Sequence, residues 1–291
     1  MYSNKVIGVD VGGSHITVGQ VDLEARRVVE DRLVRQHVNS KGSAEEILTS
    51  WSKAITPLME EEPSSVKIGI AMPGPFDYEE GVSWIGSTQD KYEVLYGKNV
   101  KQLLADYLGI GSAQIKFKND AACFLQGEIF AGVGKGYKRA IGMTLGTGAG
   151  TAYYYGTEAH DSARWGDKFG DSIVEEYFST RWFAKKYLEK TGNQLPGVKE
   201  MLSLEDKVWV KEVFEEFGSL LGQYLNRFID EENPEVVIIG GSISRSSDLF
   251  FPAIKNNLKE KYNDVALVKS VLGEQSALIG AGSAWYKAAL Y

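Results

Sequence analysis

The sequence predicts a mixed α/β fold that is built from two related halves. Short apolar segments typical of buried strands alternate with longer amphipathic segments typical of helices, which favours mostly parallel strands covered by helices. A glycine-rich turn between two strand-like segments occurs at residues 10–14 and again at 146–150, about half the chain length later. With 291 residues, 43% of them hydrophobic, the chain is long enough for two domains with sizeable cores.

The first half is predicted to begin with a meander of three strands and to continue as alternating helices and strands. Ser43 is a candidate N-cap, and Glu46 completes a capping box for a helix whose apolar residues recur at helical spacing. The predicted strands are 5–10, 15–22, 27–35, 66–71 and 114–118, and the predicted helices are 43–61, 98–108 and 121–130.

The second half is predicted to restart the same pattern. The predicted strands are 138–145, 150–156, 236–239 and 264–269, and the predicted helices are 171–190, 204–231, 246–261 and 275–289. No low-complexity linker separates the halves. We therefore place the boundary at the helix after residue 119, with residues 1–119 as one subdomain and 120–291 as the other. The last helix, over about 275–291, can pack back on the first subdomain.

Composition argues against several classes of function. A net charge of −7 argues against a nucleic-acid-binding surface, because phosphate contacts need clustered Lys and Arg. The single cysteine, Cys123, can form neither an internal disulfide nor a multi-cysteine metal site. No apolar run is long enough to span a bilayer, and the chain opens without the pattern of a signal peptide. We therefore expect a cytoplasmic protein with no nucleic-acid or membrane partner.

The two glycine turns are candidate phosphate sites. Backbone N–H groups at glycines can approach a phosphate closely, and the carboxylate of Asp10 can hold a water molecule of hydrated Mg²⁺. Each turn alone is also compatible with a plain hairpin, but two turns at matching positions indicate a nucleotide held from both sides. The candidate residues are Asp10, Gly12, Gly13 and Ser14 in the first turn and Gly146, Thr147 and Gly148 in the second.

Asn119 and Asp120 stand where a predicted strand ends and a predicted helix begins, a position at which ligands collect in open α/β sheets. The carboxylate of Asp120 could accept the proton of a hydroxyl group during phosphoryl transfer, in which position matters more than strong basicity. Capping of the following helix is the simpler interpretation of either side chain.

Two further glycine-containing turns follow apolar strands. Gly74 lies between two prolines in a stiff turn, which can line a rigid pocket or only change the chain direction. Gly240, Gly241 and Ser242 continue a buried strand toward a helix, and paired glycines there suit a flat ligand such as adenosine. The glycine spacing of the dinucleotide-binding fingerprint is absent.

The order and spacing of these motifs resemble the ROK family (repressor, open reading frame, kinase), which belongs with actin and the heat-shock chaperones to one superfamily. The resemblance covers nearly the whole chain. It implies a two-domain, actin-like ATPase fold, related to ribonuclease H, with an interdomain cleft. It also implies ATP-dependent phosphorylation of a hexose or N-acetylhexosamine with Mg²⁺. By the same resemblance Asp120 would be the catalytic base, Asn119 a sugar ligand, and the backbone at Gly74 would lie near the sugar.

The expected sugar side departs from the family pattern. The E-I-G-H segment and the cysteine-rich zinc loop of many members are missing, so we expect no structural zinc. Residues 174–179 resemble another family stretch (L-E-A-Y-x-S), which makes Glu175 a candidate acceptor for a sugar hydroxyl. His160, Glu158 and Asp167 are candidates to replace the lost sugar contacts, although a partly exposed loop histidine is the favoured interpretation of His160.

A sugar kinase is the leading hypothesis, with glucose and N-acetylglucosamine ahead on family frequency alone. A non-catalytic sugar sensor is allowed by the altered sugar side, although Asp120 is retained. A regulator of the same family would carry a DNA-binding domain before the first turn, where nine residues precede Asp10. A chaperone or cytoskeletal ATPase shares the nucleotide fold, but Asn119, Asp120 and Gly74 fit a small hydroxylated substrate better. The family often dimerises, so a homodimer is possible.

Overall fold

The computed structural model describes residues 4–59, 62–89, 91–195 and 197–286. The strands are β1 (Lys5–Val11), β2 (His15–Asp22), β3 (Arg27–His37), β4 (Ile68–Met72), β5 (Phe76–Asp77), β6 (Val82–Ser83), β7 (Ile115–Asn119), β8 (Ala140–Leu145), β9 (Ala149–Tyr154), β10 (Ala159–Asp161), β11 (Lys168–Phe169), β12 (Ser172–Ile173), β13 (Val236–Gly240) and β14 (Ala266–Lys269). The helices are α1 (Ala44–Ile55), α2 (Val100–Leu108), α3 (Asp120–Phe130), α4 (Val174–Tyr177), α5 (Thr180–Thr191), α6 (Val198–Leu202), α7 (Lys207–Glu232), α8 (Ser247–Asn257) and α9 (Gln275–Ser283). None of these described helices is both long and apolar enough to cross a membrane.

The chain divides into two compact units, Met1–Lys135 with Glu274–Tyr291, and Gly136–Gly273. Helix α3, which the sequence analysis assigned to the second subdomain, therefore belongs to the first unit. Helix α9 also belongs to the first unit, where it packs on β1, β4 and α3. The functional division at residue 119 stays a prediction, and the last residues of the predicted C-terminal helix, 287–291, lie outside the described part.

The first unit contains a five-stranded sheet with the strand order β3-β2-β1-β4-β7. Strands β1, β2 and β3 form an antiparallel meander, whereas β1, β4 and β7 run parallel. In the parallel part Asp10 lies opposite Ala71, and Met72 lies opposite Asn119. The carboxyl ends of three neighbouring strands therefore meet at one edge of this sheet.

Alternate residues of β1 face different helices. Val9 belongs to a buried apolar cluster that contains Trp51 of α1. Gly8 lies against α9, because an added Cβ at this position would come within 2.2 Å of the carbonyl oxygen of Leu278. Since side chains alternate along a strand, Asp10 lies on the same face of β1 as Gly8.

The second unit repeats this topology with the strand order β10-β9-β8-β13-β14. Strands β8, β9 and β10 form an antiparallel meander, and β8, β13 and β14 run parallel. Helices α7 and α8 pack against each other over an aromatic core that contains Phe178, Phe183, Phe214, Phe217, Phe228 and Phe250. The predicted α/β fold of two related halves is thus confirmed, because both sheets place the first strand at the centre and order their strands alike.

Four predicted helices end or break earlier than expected, and two of them, over 246–261 and 275–289, end at Asn257 and Ser283. Helix α1 ends at Ile55 and passes into a short 3-10 turn that contains Pro57, which has no N–H to continue the helix. The prediction of one helix over 171–190 is wrong, because α4 ends at Tyr177 and α5 begins at Thr180. Between them the N–H of Thr180 donates to the carbonyl oxygen of Gly146 at 2.8 Å. This hydrogen bond holds the start of α5 against the second glycine turn.

Candidate active site

Four of the predicted site residues lie where parallel strands of the first unit end. Asp10 is near the end of β1, Gly74 follows β4, Asn119 is the last residue of β7, and Asp120 begins α3. Because β1, β4 and β7 are neighbours, the fold brings these residues to one sheet edge, the place where open α/β sheets bind ligands. In the sequence, Asp10 is more than one hundred positions from Asn119 and Asp120.

The first glycine turn presents backbone amides at this edge. The N–H of Gly12 donates to the carbonyl oxygen of His15 at 2.9 Å and closes the turn, and the hydroxyl of Ser14 lies 2.9 Å from Nδ1 of His15. In the described part of the chain, no acceptor pairs with the N–H groups of Gly13 and Ser14. Two unpaired amides on a tight turn are suited to an anion such as a phosphate.

Asn119 is held in place from two sides. Its Oδ1 accepts a hydrogen bond from the N–H of Ala122 at 3.0 Å, which makes it the N-cap of α3. Its Nδ2 donates to the hydroxyl of Tyr78 at 3.2 Å, and that hydroxyl donates to the carbonyl oxygen of Met72 at 3.1 Å. An added Cβ at Gly74 would lie 3.2 Å from the same hydroxyl. An amide has two N–H donors, so Asn119 combines capping with one donor for a ligand.

Asp120 has the environment of a proton acceptor. Its Oδ1 accepts a hydrogen bond from the N–H of Ala121 at 2.9 Å. Burial raises the pKa of Asp120 above its ordinary value, while the positive charge of Lys91 and the backbone N–H groups at Ala121 and Asp120 pull it down. The net change is upward, and a carboxylate with a raised pKa accepts a proton more readily than a free aspartate.

Asp10 lies within electrostatic reach of two other carboxylates, those of Asp120 and Glu274. Burial, together with the charges of Asp120 and Glu274, raises the pKa of Asp10 to about 7, against the opposing charges of Arg35 and Lys91. No group of three or more His, Cys, Asp or Glu residues that could hold a metal occurs among the described residues. A carboxylate such as Asp10 suits Mg²⁺, which commonly takes one or two protein carboxylates and completes its shell with water and phosphate oxygens.

We expect Asp10→Asn to stabilise the metal-free protein at high pH. The folded-state pKa of Asp10 is raised, so its contribution to stability is full below the unfolded pKa and is lost as the pH rises through about 7. Asparagine removes that loss. The variant should therefore unfold at a higher Tm than wild type at about pH 8, by about 5 °C, with the difference shrinking toward about pH 4. Thermal melts in a metal chelator at both pH values measure this, and an equal difference at both would contradict it.

The second unit brings its two predicted phosphate motifs together. Strands β8 and β13 are parallel, and Gly240 lies opposite Thr144, so the turn after β8 lies beside the segment after β13. Gly241 has φ +83°, and an added Cβ would come within 2.3 Å of the carbonyl oxygen of Leu145. An added Cβ at Gly146 would lie 3.5 Å from the hydroxyl oxygen of Ser242. At Gly241 the backbone thus approaches the end of β8 as closely as only glycine permits, and Ser242 lies in ordinary contact with Gly146.

Glu175 lies under the second glycine turn. Its Oε2 accepts a hydrogen bond from the N–H of Ala149 at 3.3 Å and would be 2.6 Å from an added Cβ at Gly148. Its Oε1 forms an ion pair with Arg181 at 2.7 Å, and the Arg181 guanidinium also donates to the carbonyl oxygen of Thr147 at 3.4 Å. These contacts favour a role for Glu175 in holding the turn; its role as a sugar ligand stays a prediction.

The other candidates on the sugar side are engaged elsewhere in the second unit. His160 is exposed on β10, where its ring stacks on Tyr153 at 5.4 Å and its Nε2 lies 4.0 Å from Glu158. Since His160 pairs with Tyr153, four residues along β9 from Ala149, it lies about 13 Å from the second glycine turn. Asp167 forms ion pairs with Arg164 and Arg227. The described contacts of His160 and Asp167 do not include the second glycine turn.

Three residues of the first unit that the sequence analysis missed complete this site. Tyr78 holds Asn119, and the hydroxyl of Tyr92 donates to the carbonyl oxygen of Gly12 at 2.6 Å. The aliphatic chain of Lys91 lies beside the first glycine turn, with its Cδ 3.6 Å from where a Cβ of Gly13 would be. Single lysines and tyrosines in loops carry no pattern, so only the folded arrangement reveals them.

Comparison with known proteins agrees with the architecture. The sequence model of the ROK family matches residues 6–164 and 171–288, and the gap falls where the sequence departs from the family pattern. A glucokinase of Thermotoga maritima is 27% identical over 327 aligned positions that cover 96% of both chains. An N-acetyl-D-glucosamine kinase of Mannheimia succiniciproducens is 23% identical, with 95% of this chain and 97% of that protein covered.

Solved structures show the same fold. The crystal structure of a ROK family glucokinase from Streptomyces griseus, in complex with glucose and AMPPNP, matches with a TM-score of 0.77 at 22% identity, covering 96% of this chain and 98% of that chain. This likeness confirms the predicted actin-like ATPase fold. Together with the family match over most of its length, it leads to one conclusion: the chain belongs to the ROK family.

Proposed function

We propose that this chain is an ATP-dependent sugar kinase that transfers the γ-phosphoryl group to a hydroxyl of a hexose or N-acetylhexosamine. The observation that carries the proposal is the meeting of Asp10, Asn119 and Asp120 at one sheet edge, beside a turn with unpaired amides. The glucokinase and N-acetylglucosamine kinase relatives support the substrate class. ATP and free hexoses occur together in the cytoplasm, so we propose that the protein acts there, as a monomer or a homodimer.

In the proposed reaction Asp120 is the general base. The sugar hydroxyl oxygen forms a bond to the γ-phosphorus, the bond to the ADP oxygen breaks, and the hydroxyl proton passes to the Asp120 carboxylate. The second N–H of Asn119 donates to a sugar oxygen and fixes the direction of attack, with the backbone at Gly74 lining the sugar. Tyr78 and backbone N–H groups of α3 hold the side chains of Asn119 and Asp120. These side chains therefore need little reorganisation during the reaction.

The phosphate groups are assigned to the glycine turns. In the first unit, Gly12, Gly13 and Ser14 form the turn. The N–H of Gly12 closes it, and we assign the N–H groups of Gly13 and Ser14 as donors to phosphate oxygens. Mg²⁺, when bound through Asp10 and water, supplies positive charge to those oxygens. In the second unit we assign nucleotide binding to the adjacent motifs Gly146, Thr147, Gly148, Gly240, Gly241 and Ser242.

A coupled assay of ADP release over a panel of sugars tests this proposal. The panel contains glucose, mannose, fructose, N-acetylglucosamine and N-acetylmannosamine, each with Mg²⁺ and ATP, and a control without sugar. We expect at least one sugar to stimulate ADP release by about 10-fold or more over the control. A sugar that raises the Tm of the protein while none stimulates ADP release would instead favour the non-catalytic sensor, which the engagement of Glu175 by Arg181 makes the second candidate.

A further inference from the structure

We propose that Lys91 is a further catalytic residue, whose ammonium group contacts the phosphoryl group while it passes from the nucleotide to the acceptor. This inference rests on the proposed kinase function, and it adds a residue that neither the motifs nor the resemblance singles out. It follows from the position of Lys91, from the way its backbone is fixed, and from the charges around it.

Lys91 lies beside the phosphate-facing turn of the first unit. Its Cδ is 3.6 Å from where a Cβ of Gly13 would lie, and Gly13 is one of the two residues with an unpaired amide. Beyond Cδ a lysine has only one further carbon before its ammonium nitrogen. The ammonium group is therefore confined to the surroundings of the turn, within electrostatic reach of both Asp10 and Asp120.

Tyr92, the residue after Lys91, is held in place by several contacts. Tyr92 is fully buried, its ring packs on Trp51 at 5.5 Å, and its hydroxyl donates to Gly12 at 2.6 Å. Its N–H donates to the carbonyl oxygen of Ser40 at 2.7 Å, and its backbone adopts the left-handed conformation at φ 57°. Positive φ is uncommon for a tyrosine and persists where surrounding contacts impose it. Tyr92 thus fixes the start of the Lys91 side chain relative to the glycine turn.

The charges explain why a cation is needed there. Two carboxylates, Asp10 and Asp120, flank the place where we put the transferred group, which itself carries negative oxygens. Mg²⁺ held through Asp10 would offset part of this negative charge, and a protein cation such as Lys91 would offset more of it. Lys91 forms no ion pair within 4 Å in the part of the chain that the structure describes. Its charge is therefore available to a ligand.

The ammonium group of Lys91 is better placed to contact the phosphoryl group than to contact the sugar that accepts it. The contacts proposed for the neutral sugar come from Asn119, which Tyr78 holds, and from the backbone at Gly74, at the ends of β7 and β4. Lys91 instead packs beside Gly13, after β1, where the phosphate is proposed to lie. Removal of one fixed donor aimed at charge that develops in the transition state costs about 10²–10³-fold in kcat, and we expect an effect of this order for Lys91.

Steady-state kinetics of Lys91→Met and Lys91→Arg test the role, with Lys98→Met as the matched control from an exposed position in the same loop. With the best neutral sugar, we expect Lys91→Met to lower kcat by about 10²-fold while the KM of the sugar changes by less than about 3-fold. Lys91→Arg should recover about one-tenth or more of wild-type kcat, and Lys98→Met should match wild type. Unchanged kcat in Lys91→Met would overturn the inference, and so would a defect confined to the KM of the sugar.

A binding measurement tests, without turnover, whether Lys91 contacts the phosphoryl group. Isothermal titration with ADP, Mg²⁺ and aluminium fluoride, which imitates the phosphoryl group in transfer, should give a Kd about 10²-fold weaker in Lys91→Met, with ADP alone bound as in wild type. Equal affinity of wild type and Lys91→Met for the aluminium fluoride complex would overturn the inference. If no sugar stimulates ADP release in wild type, the kinase proposal fails, and this comparison alone then decides whether Lys91 contacts a phosphoryl-like anion.

Discussion

Replacing Asp120 with asparagine is expected to lower kcat by about 10²-fold or more while leaving the Kd of ATP within about 3-fold of wild type. Asparagine keeps an oxygen for the N–H of Ala121, so the start of α3 retains its hydrogen bond. It cannot accept the hydroxyl proton. The loss should therefore appear in the chemical step, measured as kcat in the ADP-release assay, with ATP affinity measured by titration.

Asp106→Asn is the matched control for that experiment, because Asp106 is an exposed aspartate on α2 whose carboxylate accepts a hydrogen bond from Gln102 at 2.8 Å. Its kcat should equal that of wild type. Turnover of Asp120→Asn within about 3-fold of wild type, in a protein with an unchanged Tm, would remove Asp120 from the role of general base.

The second large effect concerns stability, and it comes from Arg164. Its side chain is 14% exposed, forms ion pairs with Asp167, Glu231 and Glu232, and lies over the ring of Phe228 at 4.7 Å. Replacement by methionine keeps an apolar stem of similar length but removes the cation that pairs with Glu232, while Asp167 and Glu231 keep Arg227. Because Glu232 is only 12% exposed, we expect a loss of about 2 kcal/mol in the free energy of unfolding and a Tm lower by about 5 °C.

Arg227→Met serves as the control for Arg164→Met, because Arg227 pairs with Asp167 and Glu231 of the same cluster but is 51% exposed. Exposed ion pairs contribute little, so this variant should lose about 0.5 kcal/mol. Thermal and denaturant unfolding measure both variants. Equal, small losses would show that the segment around Arg164 is held to α7 by apolar contacts rather than by the ion pairs.

Local sequence patterns predict much of this fold because they reflect local physics. The apolar strands and the capping box of Ser43 and Glu46 lie where expected. The two glycine turns predict the internal repeat, which the shared strand order then shows directly. Asn119 and Asp120 were predicted from their place between a strand and a helix. Asn119 caps α3 and is held by Tyr78, whereas its role as a sugar ligand stays a proposal.

What the sequence does not predict depends on contacts between distant segments. The break at residues 178–179 arises because the N–H of Thr180 bonds to Gly146, a partner more than thirty residues away. Lys91 is placed beside the first glycine turn because Tyr92 bonds to Gly12 and Ser40, which are distant from it in the sequence. The family pattern singled out Glu175 but could not predict its ion pair with Arg181, which lies outside that motif.

Identification of the reaction product tests whether the protein transfers a phosphoryl group to a sugar with Asp120 as the general base. Wild type and Asp120→Asn are each incubated with Mg²⁺, ATP and the sugar that most stimulates ADP release, and the mixtures are analysed by mass spectrometry. We expect wild type to form one sugar monophosphate in equal amount to ADP, and Asp120→Asn to form at least about 10²-fold less of it. ADP formed without any phosphorylated sugar, or the same yield from both proteins, would contradict it.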